Sequence, residues 1–314
     1  MFTNLKLNIL SACSIIGIWP RFIEPKLLTT TKLDIILPNV QKSLNGLKIL
    51  QISDLHFHRH FSRAFANRII KKSGELAPDI IVFTGDFICH GIVEDRNRLK
   101  NFLQQFYAPY GCYAVLGNHD YHGYVSVNQH GDYDVIQSQN KSSLLRAFGR
   151  LFCSLTLTGH TTAQAKMLPL NQELIDLLTE TSITVLHNQT TTIPIKDGYL
   201  NLTGLGEYSL GRCDPNKAFE GRSMDPGIIL MHNPDGTPLL KNFPGDIILC
   251  GHTHGGQINL PLIWKKLTLL ENPQFKKGLL KVDQKWMYIN RGLGGVLPFR
   301  LFSPPELLLL TLKI

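Results

Sequence analysis

Nine residues in five short blocks carry side chains able to hold metal ions or move protons. Asp54 and His56 stand in DLH, Asp86 follows Gly85, and Asn118, His119 and Asp120 follow Gly117. His232 precedes Asn233, and His252 and His254 lie in the glycine-flanked run GHTHGG at 251–256. Carboxylate, imidazole and amide oxygen together suit borderline-hard divalent ions such as Mn, Fe, Co or Zn, and a soft thiolate site does not fit. Taken singly, each block has a plainer reading. Asp-x-His is usually a surface loop, Gly-Asp a turn, Asn-His-Asp a satisfied polar cluster, and a lone His232 a hydrogen-bonded core histidine. Their order, and what precedes each of them, argues against five coincidences.

Every block closes an apolar run. The runs are 47–54 (LKILQISD), 79–86 (DIIVFTGD), 113–120 (YAVLGNHD), 227–234 (GIILMHNP) and 246–254 (DIILCGHTH). Runs of this kind suit strands buried on both faces. Further strands are expected at 183–189, 200–207, 285–291 and 305–314. Between the first three runs lie helical patterns: Phe61, Phe65 and Ile69 recur every four residues, and Leu99, Phe102, Leu103 and Phe106 line one face. Strand–helix alternation followed by strand-rich sequence predicts a layered α/β sandwich. In open α/β sheets, ligands bind at the carboxyl ends of the strands. All five polar blocks would therefore meet at one rim.

The chain of 314 residues carries 32 Lys and Arg against 24 Asp and Glu, a formal charge of +8, with 43% apolar and 18% charged residues. That composition supports a large core and excludes a disordered chain; the absence of a sustained heptad or short repeat excludes coiled-coil and solenoid architectures. Six scattered cysteines without a CxxC pair argue against a disulfide framework and a zinc ribbon, and suggest a reducing compartment. The basic balance fits nucleic acid, an anionic membrane or a phosphorylated substrate, and charge alone does not choose. Residues 9–19 (ILSACSIIGIW) are eleven without a charge, bounded by Lys6 and Arg21. A span needs roughly 20 apolar residues, so this run is short for one. A signal-peptide core and a helix packed on its own domain are alternatives to the favoured reading, an interfacial anchor with Trp19 and Arg21 at headgroup level. Residues 1–28 are accordingly expected to associate with a membrane and 29–314 to form the catalytic domain. Residues 121–167 break the strand rhythm, carry no clear strand, and read as a cap containing an amphipathic helix at 143–152.

In order and content, the blocks DLH, GD, GNHD, His232 and GHTH resemble the calcineurin-like metallophosphoesterases. The resemblance implies a four-layered α/β/β/α fold and two divalent ions, Mn2+ first, with Fe, Co or Zn as alternatives. It implies that Asp54, His56, Asp86 and His254 hold one ion. Asp86, Asn118, His232 and His252 hold the other, with Asp86 between the two. Such a pair lowers the pKa of bound water and clamps phosphoryl oxygens. His119 is then the histidine that stabilises the transition state or protonates the leaving oxygen. Some family members carry GDxxD, whose second Asp orients that histidine; Cys89 stands there in this chain, which leaves the orienting group unassigned.

A closer similarity covers nearly the whole chain. The segments 24–38, 185–188 (VLHN), 251–261 and the tail 289–312 resemble a membrane-associated branch of the family, within which FTGDFIC (83–89), HNPD (232–235) and PGDIILCGHTHG (244–255) resemble the UDP-2,3-diacylglucosamine pyrophosphatases of lipid A biosynthesis. That branch implies cleavage of a UDP-linked acylated sugar to UMP and 2,3-diacylglucosamine 1-phosphate, at a membrane lipid surface on the cytoplasmic face of a bacterial inner membrane. The apolar N-terminus, helix 143–152 and the stretch 261–264 (PLIW) are expected to supply a groove for the acyl chains. Arg291, in the loop NRGLGG, is a candidate phosphate contact or a structural arginine. Arg146 and Arg150 are candidate headgroup contacts or a solvated helix face. The rival readings are a membrane-bound general phosphodiesterase or phosphatase and a non-catalytic metal-binding scaffold. No basic–aromatic stripe points to nucleic acid, and no protein partner is inferred.

Overall fold

A computed structural model describes residues 14–37, 41–136, 155–221, 227–261, 264–295, 297 and 299–314. Helix 143–152, with Arg146 and Arg150, lies outside the described residues, as do residues 1–13 and the centre of the stretch 261–264. The first strands are β1 (Thr29–Ile36), β2 (Lys48–Ile52), β3 (Ile80–Thr84) and β4 (Cys112–Val115). Then come the hairpin strands β5 (Val125–Val127) and β6 (Tyr133–Val135), followed by β7 (Ile183–Val185), β8 (Gln189–Ile195) and β9 (Gly198–Gly204). The last five are β10 (Gly227–Leu230), β11 (Ile247–Cys250), β12 (Gly278–Val282), β13 (Lys285–Ile289) and β14 (Glu306–Lys313).

They form two six-stranded sheets, ordered β1-β14-β2-β3-β4-β7 and β12-β13-β11-β10-β9-β8, and the short β5-β6 ribbon. Alternation along each strand decides the layering. In β2, Leu50 and Ile52 face the helices α1 (Arg63–Leu76), α2 (Arg96–Leu103) and, beyond the ribbon, α4 (Gln172–Glu180), where they pack with Phe65, Ile69, Leu103 and Leu178. Ile49 points the other way and meets Leu202, Leu230 and Leu249 of the second sheet. The far face of that sheet, through Ile229, Ile248 and Met287, is covered by short pieces around Ala218, Leu240 and Phe275. The layers run helix, sheet, sheet and a thin helical cover, as the resemblance implies. Ser62 caps α1 by accepting from the N–H of Phe65, and Asp95 caps α2 by accepting from the N–H of Arg98.

Three features differ from the sequence reading. The run 183–189 divides into β7 and the start of β8, which lie in different sheets. The edge strands β1, β8 and β12 carry no continuous apolar signal, because one face of each meets solvent, and β8 also contains Pro194. Residues 121–167 hold the β5-β6 ribbon and helix α3 (Ala163–Met167), although the segment reads as strandless. Ribbon strands of three residues are too short to show a period of two.

Candidate metal centre

The carboxyl ends of β2, β3, β4, β10 and β11 deliver Asp54, His56, Asp86, Asn118, His119, His232, His252 and His254 to one rim, all of them in buried or nearly buried surroundings. The strand ends turn sharply to do so. Asp54, His56, Asp86, His252 and His254 all have positive φ, between 44° and 70°, a region that non-glycine residues enter at a cost of order 1–3 kcal/mol each. Tight turns also need room. A Cβ on Gly117 would lie 2.2 Å from Asp86 Oδ1, and one on Gly85 would lie 2.6 Å from the N of Gly117. Only glycine at these two positions lets the β3 and β4 loops touch.

Asp86 Oδ2 lies at the middle, 3.4 Å from His56 Nε2 and 3.3 Å from His232 Nε2, while Oδ1 accepts from the N–H of His119 at 2.9 Å. On one side, His56 Nε2 is 3.1 Å from His254 Nε2, which lies 3.6 Å from Asp54 Oδ1. On the other, His252 Nδ1 lies 3.0 Å from Asn118 Oδ1 and 3.2 Å from His232 Nε2. Each orientation has a local cause. His232 Nδ1 donates to the carbonyl of Thr84 at 2.7 Å, which turns Nε2 inward. Asn118 Nδ2 donates to the carbonyl of Val125 in β5 at 2.8 Å, which turns Oδ1 inward. Asp54 is held by the Ser53 hydroxyl at 2.5 Å and by the N–H of His252.

Ring nitrogens facing one another at 3.1–3.2 Å either share one hydrogen per pair or turn both lone pairs on a common cation. The electrostatics agree. Burial pushes His56 down to about 4 and His252 to about 3, and lifts Asp54 to about 7 against the opposing pull of His232. Burial also opposes charge on Asp86 and His232, but their mutual attraction overrides it, holding the carboxyl well below and the imidazole well above their usual ranges. Carboxylates beside imidazoles that burial keeps neutral, such as His56 and His252, make a donor set for divalent cations, and a cation would replace the proton that Asp86 draws onto His232. Asp54, His56 and His254 converge on one point, and Asp54, Asp86 and His232 on another. The residues present therefore fit a metal centre.

His119 belongs to the cluster with His56 and Asp86. Its Nδ1 accepts from the backbone N–H of His90 at 3.0 Å, and its ring lies against Tyr124, centroids 4.2 Å apart. The group that orients it is thus a main-chain amide one residue beyond Cys89, whose thiol instead donates to the carbonyl of His56. Asp120 does not reach His119. Its carboxylate accepts from the N–H groups of Gly117 and Ile88, bracing two loops, and burial lifts it to about 8.

Of the candidate substrate residues, Arg291 is half-buried and bonded to Glu306 at 3.1 Å and to the Thr29 hydroxyl at 3.0 Å. It locks β14 to β1. The residue that sequence reasoning passed over is Arg300. It is 2% exposed, donates to the carbonyls of Arg291, Gly292, Gly294 and Ser303, and lies 3.4 Å from His254 Nδ1. Its only signal is a charge inside the apolar tail, which reads equally well as a surface arginine.

A family model described as calcineurin-like phosphoesterase matches residues 47–256. The chain is 43% identical over 310 residues to UDP-2,3-diacylglucosamine pyrophosphatase LpxG of Chlamydia muridarum, covering 95% of this chain and 93% of that protein. It is 41% identical over 314 residues to LpxG of Chlamydia trachomatis serovar D, covering 96% and 94%. Phosphodiesterase YaeI of Escherichia coli is 28% identical over 265 residues, covering 84% and 82%.

Proposed function

The chain belongs to the calcineurin-like phosphoesterase family, and from this we propose that it is a two-metal hydrolase cleaving UDP-2,3-diacylglucosamine to UMP and 2,3-diacylglucosamine 1-phosphate. The observation that carries the substrate is the identity of 41–43% to two LpxG pyrophosphatases across nearly the full length of both partners. By its relatives' reaction the substrate is lipid-linked, so the same reading sets the enzyme at the cytoplasmic face of a bacterial inner membrane.

Asp54, His56, Asp86 and His254 would hold one ion, and Asp86, Asn118, His232 and His252 the other, with Mn2+ the first expectation. Bound there, the ions supply Lewis-acid activation of water and of the phosphoryl oxygens. Asp86, whose Oδ2 lies between His56 and His232, would be the carboxylate shared by both. Thr84 and Val125 keep His232 and Asn118 turned inward, so the donor set needs little rearrangement. His119, with Nδ1 engaged by His90, carries its hydrogen on Nε2 and would donate a hydrogen bond from it to the phosphoryl or the leaving oxygen, stabilising the charge that builds there.

The test is mass spectrometry of the products from UDP-2,3-diacylglucosamine. UMP should appear, and removal of the acyl chains should lower kcat/KM markedly. Equal rates on deacylated UDP-glucosamine would favour a general phosphodiesterase instead.

A further inference from the structure

We propose that Tyr124 is a positioning residue for His119: its ring covers one face of the imidazole and keeps Nε2 aimed at the metal centre. The inference rests on the hydrolase reading above for what His119 does, and on the aromatic packing for what holds it.

The β5-β6 ribbon brings Tyr124 there. The N–H of Ile136 donates to the Tyr124 carbonyl at 2.9 Å, which extends the pairing of Val125 with Val135 by one residue. Side chains alternate along such a ribbon. Val125 and Val127 are buried in the main core with Tyr133, so half-buried Tyr124 faces the other way, against His119. The carbonyl of Val125 also turns Asn118 inward. One short strand and the residue before it therefore set both a candidate ligand and the candidate hydrogen-bond donor.

His119 is held at its edges by hydrogen bonds and on a face by packing. Its carbonyl accepts from the N–H of Gly91 at 2.9 Å, and its Nδ1 from the N–H of His90 at 3.0 Å. The His56 ring meets it edge-on, centroids 4.7 Å apart at 89°. Tyr124 is nearer and flatter against it, 4.2 Å away at 31°. The His90 ring closes the group, 5.3 Å from His119 and 5.0 Å from Tyr124. Gly91, at φ 72°, lets the His90 turn reach the segment that leads to Tyr124. A Cβ there would lie 2.3 Å from the Tyr121 carbonyl oxygen and 2.7 Å from the N of Gly123.

The packing matters because the torsion that turns an imidazole is broad and roughly two-fold. A half-turn exchanges Nδ1 with Cδ2 and Nε2 with Cε1. It would break the bond from His90 and carry the Nε2 hydrogen away from the phosphoryl position. One amide hydrogen bond opposes that turn only modestly. A flat ring packed on the face opposes it sterically, because the imidazole edges must sweep through the volume that Tyr124 fills.

The experiment is a double-mutant cycle on the Mn2+-loaded full chain. Steady-state rates are measured for UMP release from UDP-2,3-diacylglucosamine and for hydrolysis of bis(p-nitrophenyl) phosphate, which asks only for the phosphoesterase chemistry. Tyr124→Leu should lower kcat by about tenfold, the scale of one aromatic pair. KM should stay within about twofold, and manganese content should not change. Tyr124→Phe, which keeps the ring, should restore the rate. In the His119→Ala background, Tyr124→Leu should cost less than about twofold, because the group it positions is gone. Heteronuclear NMR of the histidine-labelled, Zn2+-loaded protein gives a readout independent of turnover. In Tyr124→Leu the two ring nitrogens of His119 should shift towards each other, as the turned ring leaves His90 and admits the Nδ1–H tautomer. An undiminished cost in the His119→Ala background, a loss carried by KM, or an unaltered His119 signal would overturn the proposal. The expected cycle on bis(p-nitrophenyl) phosphate without UMP release would keep this role for Tyr124 and remove the lipid substrate. Were neither ester hydrolysed, the His119 signal alone would decide.

Discussion

Asp86 and His119 show how a few ångströms assign chemistry. One oxygen of Asp86 is taken by a main-chain N–H, and the other is left between two imidazoles, which is the placement a shared ligand needs. His119 is fixed by an amide rather than by a carboxylate. An acceptor Nδ1 favours the neutral ring with its proton on Nε2, and burial pushes the same way, holding its pKa well below the usual range. His119→Ala should therefore lower kcat by about 10²–10⁴ while metal content, measured by elemental analysis, stays near wild type. A variant that loses metal in proportion to activity would make His119 a ligand instead.

The elements matter through their ends. The strand cores are apolar and interchangeable in chemistry, and the turns after them hold the strained backbone and the close glycine contacts. Away from the centre, Asp235 ties a second pair of loops together. It sits in the 3-10 turn Pro234–Leu240 and accepts from the N–H groups of Glu271 and Asn272. Burial pushes its carboxyl up to about 6 despite those two donors. A folded pKa above the unfolded one means that the folded state prefers the protonated form. The benefit is full at low pH and is lost as pH rises through about 6. Melting temperatures of wild type and Asp235→Asn should thus diverge against the wild type between about pH 4 and pH 6, then stay parallel. A constant difference across that range would show that Asp235 titrates alike in both states.

At the scale of the molecule, two sheets share one core, and their strand ends open on the same rim. Each sheet supplies part of the donor set: Asp54, Asp86 and Asn118 come from the first, and His232, His252 and His254 from the second. A cation bound between them would join the two sheets. Chelation should then lower the melting temperature by several degrees, since occupancy at a thousandfold excess over Kd stabilises by about 4 kcal/mol per site. Adding Mn2+ should restore it. Identical melting with and without chelator would mean that the ions do not link the sheets.

Much of this was legible in the residues. Apolar runs ending in Asp, Asn or His read as buried strands feeding one rim, because hydrophobic period and polar terminus are local properties of the chain. Which atom of each side chain faces inward, and what holds it there, belongs to the tertiary structure alone. The carbonyls of Thr84 and Val125, the amide of His90, the guanidinium of Arg300 and the ion pair of Arg291 with Glu306 come from sequence-distant or main-chain partners. Main-chain donors and acceptors leave no mark on residue identity, and long-range pairs form only once the sheets have packed.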